Sequence, residues 1–261
     1  MSKVVVITGA SEGIGAELAK RLGAKGYAVA LAARRAHELE RVANEIGAHA
    51  FPIVTDVTQR AQVERLRDAT LEHFGHIDVW VNNAGRGIST HVLDLTDEDV
   101  DDIFAVNLKS ALYGMQAIVP YFQARGHGQL INISSVLSRV PSATFRSIYS
   151  ASKAALNTLT ANLRMDLRAD YPNIHVTLVM PGAVTTRFSQ NARGDKKPSV
   201  SPARIAPQTV EQAVDPIVNV IEHPVPEIYT NPVAAEFVQR YFQDVAAFEE
   251  QINAPRRDET K

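Results

Sequence analysis

Short hydrophobic runs alternate with longer amphipathic segments along most of this 261-residue chain. Segment 60–75 shows the amphipathic pattern, because Val63, Leu66, Leu71 and Phe74 fall on one side of a helix. In parallel sheets covered on both faces, the strands are almost continuously hydrophobic and helices connect them. The alternation therefore predicts one α/β domain over 1–261, a doubly wound seven-stranded parallel sheet with helices on both faces. The predicted strands are 4–9, 28–33, 48–57, 77–85, 128–135, 174–182 and 226–231.

Composition excludes several classes of function. The chain has no cysteine, which rules out disulfides, thiolate metal sites and a cysteine nucleophile. Its formal net charge is −2 and its basic groups are short and next to acids, so nucleic acid is not an expected partner. No carboxylate pair or histidine cluster indicates a metal. No run could cross a bilayer and the N-terminus lacks a secretory core, so we expect a cytoplasmic protein without a membrane partner.

Two segments depart from the alternation. Residues 187–210 combine charges with prolines and a glycine, and they follow the sixth predicted strand. Because ligands of open α/β sheets bind beyond the carboxyl ends of the strands, this segment is predicted to be a substrate lid. Residues 233–252 are predicted to form a C-terminal amphipathic helix, whose apolar face could cover its own domain, a neighbouring subunit or a membrane. That face comprises Phe237, Tyr241, Val245, Phe248 and Ile252.

The first predicted strand leads into "TGASEGIG", which places Gly9, Gly13 and Gly15 in a turn from strand to helix. Such glycines let the backbone approach a pyrophosphate, and the helix N-terminus offers unpaired N–H groups to the phosphates. The motif predicts a dinucleotide site, although glycines also end strands for purely structural reasons.

The second predicted strand ends in "LAARR" and bears on the choice of cofactor. NAD enzymes typically place an acid there for the ribose 2′-hydroxyl, whereas this chain has Ala33 followed by Arg34 and Arg35. Arginine offers a planar fork to a 2′-phosphate, so the charges favour NADP (NADPH). The alternative is a pair of solvated arginines at a helix start.

Tyr149 and Lys153 lie four residues apart in the run "SIYSASKAAL". On a helix this spacing puts them on one face, with the ammonium beside the phenol. A neighbouring cation lowers the pKa of tyrosine from about 10 and makes the phenol a better general acid or base near working pH. A surface helix with this spacing by coincidence is the alternative.

Six motifs occur in one order along the chain: "TGASEGIG" at 8–15, "NNAG" at 82–85, Asn107 in "AVNLKS", Ser135 in "NISSV", "YSASK" at 149–153 and "PGAVTT" at 181–186. Together, on the predicted scaffold, they resemble the short-chain dehydrogenase/reductase family. The resemblance extends from Val4 to Asn231. It implies a Rossmann-type fold and an oxidoreductase that interconverts a carbonyl and an alcohol.

The resemblance also implies a catalytic group of four residues. Tyr149 is then the general acid in reduction and the base in the reverse reaction, and Ser135 hydrogen-bonds the substrate oxygen. Lys153 lowers the pKa of Tyr149 and binds the nicotinamide ribose. Asn107 holds a water that links Lys153 to solvent.

For the cofactor, the resemblance implies that Asp56 and Val57 contact adenine, that Asn82, Ala84 and Gly85 lie beside the adenosine ribose, and that Val184 and Thr186 fix the carboxamide. Asn82 could instead only cap a strand, and Thr186 could only cap a helix. The full implied set is Gly9, Ser11, Glu12, Gly13, Ile14, Gly15, Arg34, Arg35, Asp56, Val57, Asn82, Asn83, Ala84, Gly85, Tyr149, Lys153, Pro181, Gly182, Val184 and Thr186.

Two departures from the family pattern affect these roles. Many NADP-preferring relatives have a basic residue before the second glycine, whereas this chain has Glu12, which would repel a 2′-phosphate. Ser135 precedes Tyr149 by one residue more than is common, so Ser134 or Ser138 could supply the hydroxyl instead.

We expect an NADPH-dependent reductase of ketones or aldehydes. The alternatives are an NAD-dependent alcohol or sugar dehydrogenase and a non-catalytic dinucleotide-sensing protein. Helices over 97–125 and 147–170 resemble the pair through which relatives form homodimers or homotetramers. The expected substrate pocket mixes cationic and apolar groups and does not discriminate between hydrophobic ketones and anionic substrates; it comprises Arg86, Ser89, His91, Leu137, Arg139, Phe145, Arg146 and Phe188.

Overall fold

The computed structural model describes residues 2–194 and 206–253, and in them each of the seven predicted runs forms a strand of one parallel sheet. The strands of that sheet are β1 (Val4–Thr8), β2 (Ala28–Ala33), β3 (Ala50–Val54), β4 (Val79–Asn82), β6 (Gly128–Ile133), β7 (Ile174–Met180) and β9 (Glu227–Tyr229). Two further short strands, β5 (Ile88–Ser89) and β8 (Arg193–Gly194), pair separately. The predicted fold class is confirmed.

The order of the main sheet is β3-β2-β1-β4-β6-β7-β9. The chain winds outward from β1 in one direction through β3, then returns to build the other half from β4. A cleft opens where the winding reverses, outside the carboxyl ends of β1 and β4. The topology therefore brings the loops after β1, β2, β4, β6 and β7 together at one edge.

Helices cover both faces of the sheet. The helices are α1 (Gly13–Ala24), α2 (Ala36–Ile46), α3 (Arg60–Phe74), α4 (Asp97–Phe104), α5 (Ser110–Arg125), α6 (Ser147–Arg168), α7 (Val210–Glu222), α8 (Ala234–Gln243) and α9 (Val245–Asn253). Alternate residues of β1 belong to different cores: Val5 and Ile7 pack in the cluster with α1 and α7, and Val6 packs in the cluster with α3 and α5. Burial on both faces explains why the strands are continuously hydrophobic.

The predicted single helix over 233–252 is wrong in one respect, because the structure has two helices there. The chain is extended at Asp244 (φ −154°, ψ 97°), and the Asp244 carboxylate accepts a hydrogen bond from Ala247 N at 3.0 Å. The predicted apolar face still forms: Phe237, Phe248 and their neighbours pack on Val136 and Val140. Of the three possible partners, its own domain is the one the structure shows.

A π-helical turn, Ala105–Lys109, joins α4 to α5. The extra residue in such a turn redirects side chains, and here Asn107 becomes buried behind the cleft. Among the described residues, no helix is both long and apolar enough to span a bilayer.

Candidate active site

A cleft of about 1150 Å³ lies at the carboxyl edge of the sheet. Most of the residues predicted from the sequence line it. The cofactor set contributes Gly9, Ser11, Glu12, Gly13, Ile14, Arg34, Arg35, Asp56, Val57, Asn83, Ala84, Gly85, Pro181, Gly182, Val184 and Thr186, and the catalytic set contributes Ser135, Tyr149 and Lys153. The cleft is therefore the candidate site for both cofactor and substrate.

The β1–α1 loop requires glycine at two positions for backbone reasons. Gly9 and Gly13 have φ of +68° and +58°, in the left-handed region. A Cβ on Gly9 would also lie 2.9 Å from Ala84 Cα. The loop therefore packs directly on the loop after β4 and leaves the N-terminus of α1 open to the cleft.

Polar contacts fix these two loops against each other. Thr8 Oγ1 accepts hydrogen bonds from the backbone N–H groups of Asn83 and Ala84, at 3.0 and 3.1 Å. Asn83 Nδ2 donates to Thr8 O at 2.8 Å and to Gly9 O at 3.3 Å. The Asn83 side chain thus positions the loop.

Two of the predicted cofactor residues lie outside the cleft. Asn82 is buried on the face of the sheet that packs against α3 and α5. Its side-chain amide accepts a hydrogen bond from Trp80 Nε1 at 2.8 Å and donates one to Asn132 Oδ1 at 2.9 Å. Gly15 lies in the first turn of α1, and a Cβ there would lie 2.5 Å from Gly9 O. Asn82 thus ties β4 to β6, and Gly15 lets the first turn of α1 pack on the β1–α1 loop.

Opposite charges meet at the end of β2. Arg35 Nη2 lies 3.0 Å from Glu12 Oε2 and donates to Ser11 Oγ at 3.0 Å. The other Glu12 oxygen accepts from Asn191 Nδ2 at 2.8 Å. Arg34 is exposed and forms no ion pair with a described residue. The Glu12 carboxylate, which is expected to repel a 2′-phosphate, therefore forms an ion pair with Arg35.

The remaining cofactor-set residues line opposite walls. Asp56 Oδ1 accepts from Thr58 N at 3.0 Å and Thr58 Oγ1 at 2.8 Å, which orients the loop after β3. Thr186 Oγ1 accepts from Phe188 N at 3.2 Å, and Val184 pairs with Gln208 in an isolated bridge. Thr186 thus stabilises the turn after it; in the described residues 187–194 no helix begins, so the predicted alternative of a helix cap is not formed.

Tyr149 lies in the first turn of α6 and is 8% exposed. Burial raises the pKa of its phenol, while the Ser135 hydroxyl and the positive charge of Arg146 lower it. The Phe188 ring packs edge-on against the phenol ring, with centroids 5.7 Å apart. The phenol is therefore protonated at neutral pH in its buried position.

Lys153 lies one turn further along α6 and is 4% exposed. Its ammonium donates to Ile133 O, at the end of β6, at 2.8 Å, and burial lowers the pKa of this group to about 8. The positive charge of Arg146, just before α6, also lowers the pKa of Tyr149. The two side chains share the face that the spacing predicts, and the lysine's ammonium is held at the end of β6.

Three serines could have supplied the substrate-binding hydroxyl. Ser134 Oγ donates to Asn157 Oδ1 at 2.6 Å, and Ser138 Oγ donates to Ser135 O and accepts from Asn157 Nδ2. Both hydroxyls are engaged with α6. Ser135 Oγ accepts from Leu137 N at 3.1 Å and is the hydroxyl that lowers the pKa of Tyr149. The geometry therefore favours Ser135.

Asn107 lies behind the cleft wall and does not line the cleft itself. Its amide accepts from Arg86 N at 2.8 Å and donates to Arg86 O at 3.0 Å and Ser152 Oγ at 3.1 Å. A Cβ on Gly85 would lie 3.4 Å from Asn107 Oδ1 and 3.6 Å from Lys153 Nζ. The two side chains therefore face one small space beside Gly85.

Two residues of the predicted substrate pocket lie elsewhere. His91 is exposed and precedes a 3-10 turn, and Arg139 pairs with Glu227 at 2.9 Å behind the cleft. The other six predicted residues line the cleft. Pattern reasoning missed Ser142, Ser189, Asn191, Arg193 and Phe237, which also line it. No local pattern marks these, because packing of distant segments brings them there.

The sequence matches the profile of the family described as short chain dehydrogenase over residues 3–197. The chain belongs to the short-chain dehydrogenase family. It is accordingly an NAD(P)-dependent oxidoreductase that acts on CH–OH or C=O groups.

Among the proteins similar to this short-chain dehydrogenase, one solved structure contains NAD and another contains NADP. An uncharacterized oxidoreductase of Staphylococcus epidermidis is 34% identical over 214 residues, 82% of this chain and 92% of that protein. A short chain dehydrogenase/reductase from Burkholderia phymatum, solved with NAD, has a TM-score of 0.84 at 26% identity and covers 94% and 95% of the two chains. One from Burkholderia cenocepacia, solved with NADP, has a TM-score of 0.79 at 28% identity and covers 97% and 98%.

Proposed function

We propose that this protein is an NADPH-dependent reductase that converts a ketone or an aldehyde to the alcohol. The observation that carries the proposal is the meeting of Ser135, Tyr149 and Lys153 in one cleft with the glycine loop and Arg34. The cleft thus offers a proton donor at one end and a cationic fork at the other.

The described residues fit a dinucleotide. The left-handed Gly9 and Gly13 leave the α1 N-terminus open to a pyrophosphate, and Asp56 and Val57 line the wall proposed for adenine. At the other end, Lys153 would bind the nicotinamide ribose. When bound, the cofactor supplies a hydride to the carbonyl carbon and is left oxidised.

We assign the proton to Tyr149. Its raised pKa keeps the phenol protonated, as a donor to the carbonyl oxygen requires. Ser135 lies beside the phenol, so both hydroxyls would stabilise negative charge that develops on that oxygen. Lys153 and Asn107 face the space beside Gly85, where a water would return a proton to the phenol.

NADPH is proposed because the cleft leaves Arg34 available. The Glu12 carboxylate lies 3.0 Å from Arg35, which offsets its repulsion of a 2′-phosphate. Arg34 has no such partner among the described residues, and its fork fits phosphate. The NAD-dependent alternative keeps one supporting observation, namely that Glu12 lines the same wall as Arg34.

The test compares NADPH with NADH in the purified protein. We expect the lower Kd for NADPH in a fluorescence titration, and higher kcat/KM with NADPH across a panel of ketones and aldehydes. Tighter NADH binding with turnover would leave an NAD-dependent dehydrogenase. Binding of either cofactor without turnover of any carbonyl or alcohol would contradict the proposed reaction.

We further propose that segment 187–210 acts as the lid. In its described part, Phe188 packs on Tyr149 and Asn191 donates to Glu12, so the segment touches both ends of the cleft. Residues 195–205 lie outside the described residues. Limited proteolysis should cut this segment more slowly when NADPH is present, and equal rates would argue against a lid.

Self-association through α4, α5 and α6 is also proposed. Met165 on α6 is 64% exposed, which leaves an apolar group for a partner copy. Sedimentation equilibrium should give a dimer or tetramer that Met165→Glu weakens. A monomer at micromolar concentration would contradict this proposal.

A further inference from the structure

The substrate end of the cleft contains a buried guanidinium with no carboxylate partner. Arg146 is 9% exposed, its Nη1 donates to Ile88 O at 2.9 Å, and its Nη2 donates to Ser189 Oγ at 3.2 Å. Both acceptors are neutral. Among the described residues, Arg146 forms no ion pair with an aspartate or glutamate. A buried cation is costly unless an anion compensates it.

The other arginines that line the cleft are placed differently. Arg35 pairs with Glu12 at 3.0 Å, Arg86 with Asp102 at 2.6 Å, and Arg193 with Glu98 at 2.8 Å. Arg34 is exposed, so water solvates its charge. Arg146 alone among these described arginines combines burial with the lack of an acid, and this combination is typical of a group that awaits a charged ligand.

Arg146 is also close to the reacting group. It immediately precedes α6, three residues before Tyr149, and its charge lowers the pKa of that phenol. A Cβ on Gly87 would lie 2.6 Å from Arg146 Nη1, so the glycine leaves room for the guanidinium. The Phe188 ring, packed on Tyr149, adds an apolar wall.

We propose that Arg146 binds a carboxylate of the substrate, and that the enzyme therefore reduces oxo acids to hydroxy acids. This inference rests on the proposed reductase function and names its substrate class. Arginine has five N–H donors, and two of them are used here, so a fork remains for a second acceptor pair. One guanidinium matches the single charge of a carboxylate.

The first experiment compares oxo acids with their methyl esters in the wild-type enzyme. The probes are 2-, 3- and 4-oxo acids of four to eight carbons, each with its ester, under saturating NADPH. We expect kcat/KM for the best acid to exceed that of its ester about ten- to a hundredfold, the range for a charge-assisted hydrogen bond. For the 4-oxo acids the difference should lie in KM rather than kcat, since the carboxyl group is remote from the reacting ketone and esterification leaves that ketone almost unchanged.

Variants then assign the preference to Arg146. Arg146→Met should remove the acid-over-ester preference, and Arg146→Lys should keep part of it, because the charge remains without the fork. Ser189→Ala is the matched control. It removes the hydrogen bond between Arg146 Nη2 and Ser189 Oγ, which Arg146→Met also removes, but it keeps the guanidinium. It should leave the ratio unchanged, as should Arg193→Met, which removes a cation that is already paired.

A binding measurement makes the result independent of turnover. In a Tyr149→Phe background with NADPH bound, calorimetry should give a lower Kd for the acid than for its ester, and Arg146→Met should abolish that difference. Equal Kd values in every pair, or loss of the preference in Ser189→Ala to the same extent, would overturn the inference. Tighter acid binding in this background, together with no turnover of acid or ester by the wild-type enzyme, would instead overturn the proposed function and leave the anion site standing.

Discussion

The two ends of the cleft differ in how exposed their cationic side chains are and in whether an acid pairs with them. At the cofactor end, Arg34 and Arg35 lie at the surface, and the acid Glu12 offsets one of them at 3.0 Å. At the substrate end, Lys153 and Arg146 are 4% and 9% exposed, and no acid of the described residues pairs with either.

This contrast predicts different consequences of substitution. Water and salt screen exposed charges, so each cation at the cofactor end should change affinity modestly. Buried charges keep their full interaction energy and their desolvation cost. Changes at the substrate end should therefore affect turnover and stability strongly.

The largest expected effect is at the substrate end. Tyr149→Phe removes the proton donor and keeps the ring that packs on Phe188, so kcat should fall by about 10²- to 10⁴-fold. Fluorescence titration should give an unchanged Kd for NADPH. Tyr113→Phe, on α5 and outside the cleft, is the control and should retain kcat. Normal turnover by Tyr149→Phe would remove the basis of the catalytic assignment.

Lys153→Met should make the cofactor-free protein more stable while abolishing activity. The folded pKa of Lys153 is about 8, below its ordinary 10.5, so the unfolded chain binds more protons between these values. Below pH 8 the buried charge therefore costs stability, by roughly 1–3 kcal/mol after the lost hydrogen bond is allowed for. Wild-type stability should rise relative to the variant as the pH increases from about 8 to 10.5.

Urea unfolding of both proteins at pH 7 and at pH 10 measures this difference. Lys25→Met is the control, because the exposed Lys25 pairs with Glu222, which raises its pKa. Its difference from wild type should stay constant between those two pH values. A wild type more stable than Lys153→Met at pH 7 would show that burial of this ammonium is compensated.

At the cofactor end, Arg34→Gln should reduce the preference for NADPH over NADH by about tenfold, since the fork contacts phosphate in a partly screened position. Arg41→Gln, which removes an exposed arginine of α2 paired with Glu45, should leave the preference unchanged. The ratio of the two Kd values is the measurement. An unchanged ratio in Arg34→Gln would assign phosphate recognition to another group.

The smallest effect should come from Glu12→Gln. Removal of this charge frees Arg35 and should lower the Kd for NADPH about two- to fivefold, as expected for an exposed ion pair. High salt should shrink the effect, because screening already weakens the repulsion. Weaker NADPH binding would mean that Glu12 mainly holds Asn191 and the segment 187–194 in place.

Predictions from the sequence were correct for structural features that depend on residues close together in the chain. The seven strands followed from hydrophobic runs, because a strand buried on both faces must be apolar along its length. The turn from β1 to α1 followed from the glycine motif, and the structure adds that Gly9 and Gly13 have positive φ there. The prediction of one helix over 233–252 was wrong, because hydrophobic periodicity continues across Asp244 although the backbone there is extended and separates two helices.

Placement within the site depended on tertiary structure. Asn82 and Asn83 are adjacent, but the alternation of side chains at the end of β4 sends one into a core and the other toward the β1–α1 loop. His91 and Arg139 fell near the pocket in sequence but lie outside the cleft. The partners of Glu12 and the environment of Arg146 involve segments far apart in the chain.

The sequence by itself thus determined the sheet, the glycine loop and the helix that carries Tyr149 and Lys153. Hydrophobic periodicity and backbone preference depend on neighbouring residues, so they can be read from the order of residue types in the sequence. The tertiary structure alone decided where the ammonium of Lys153 is held, which acid is paired and which arginine stays buried without an anion. Those outcomes depend on which distant segments pack together, and the energy of a charge depends on the burial and the partners that this packing creates.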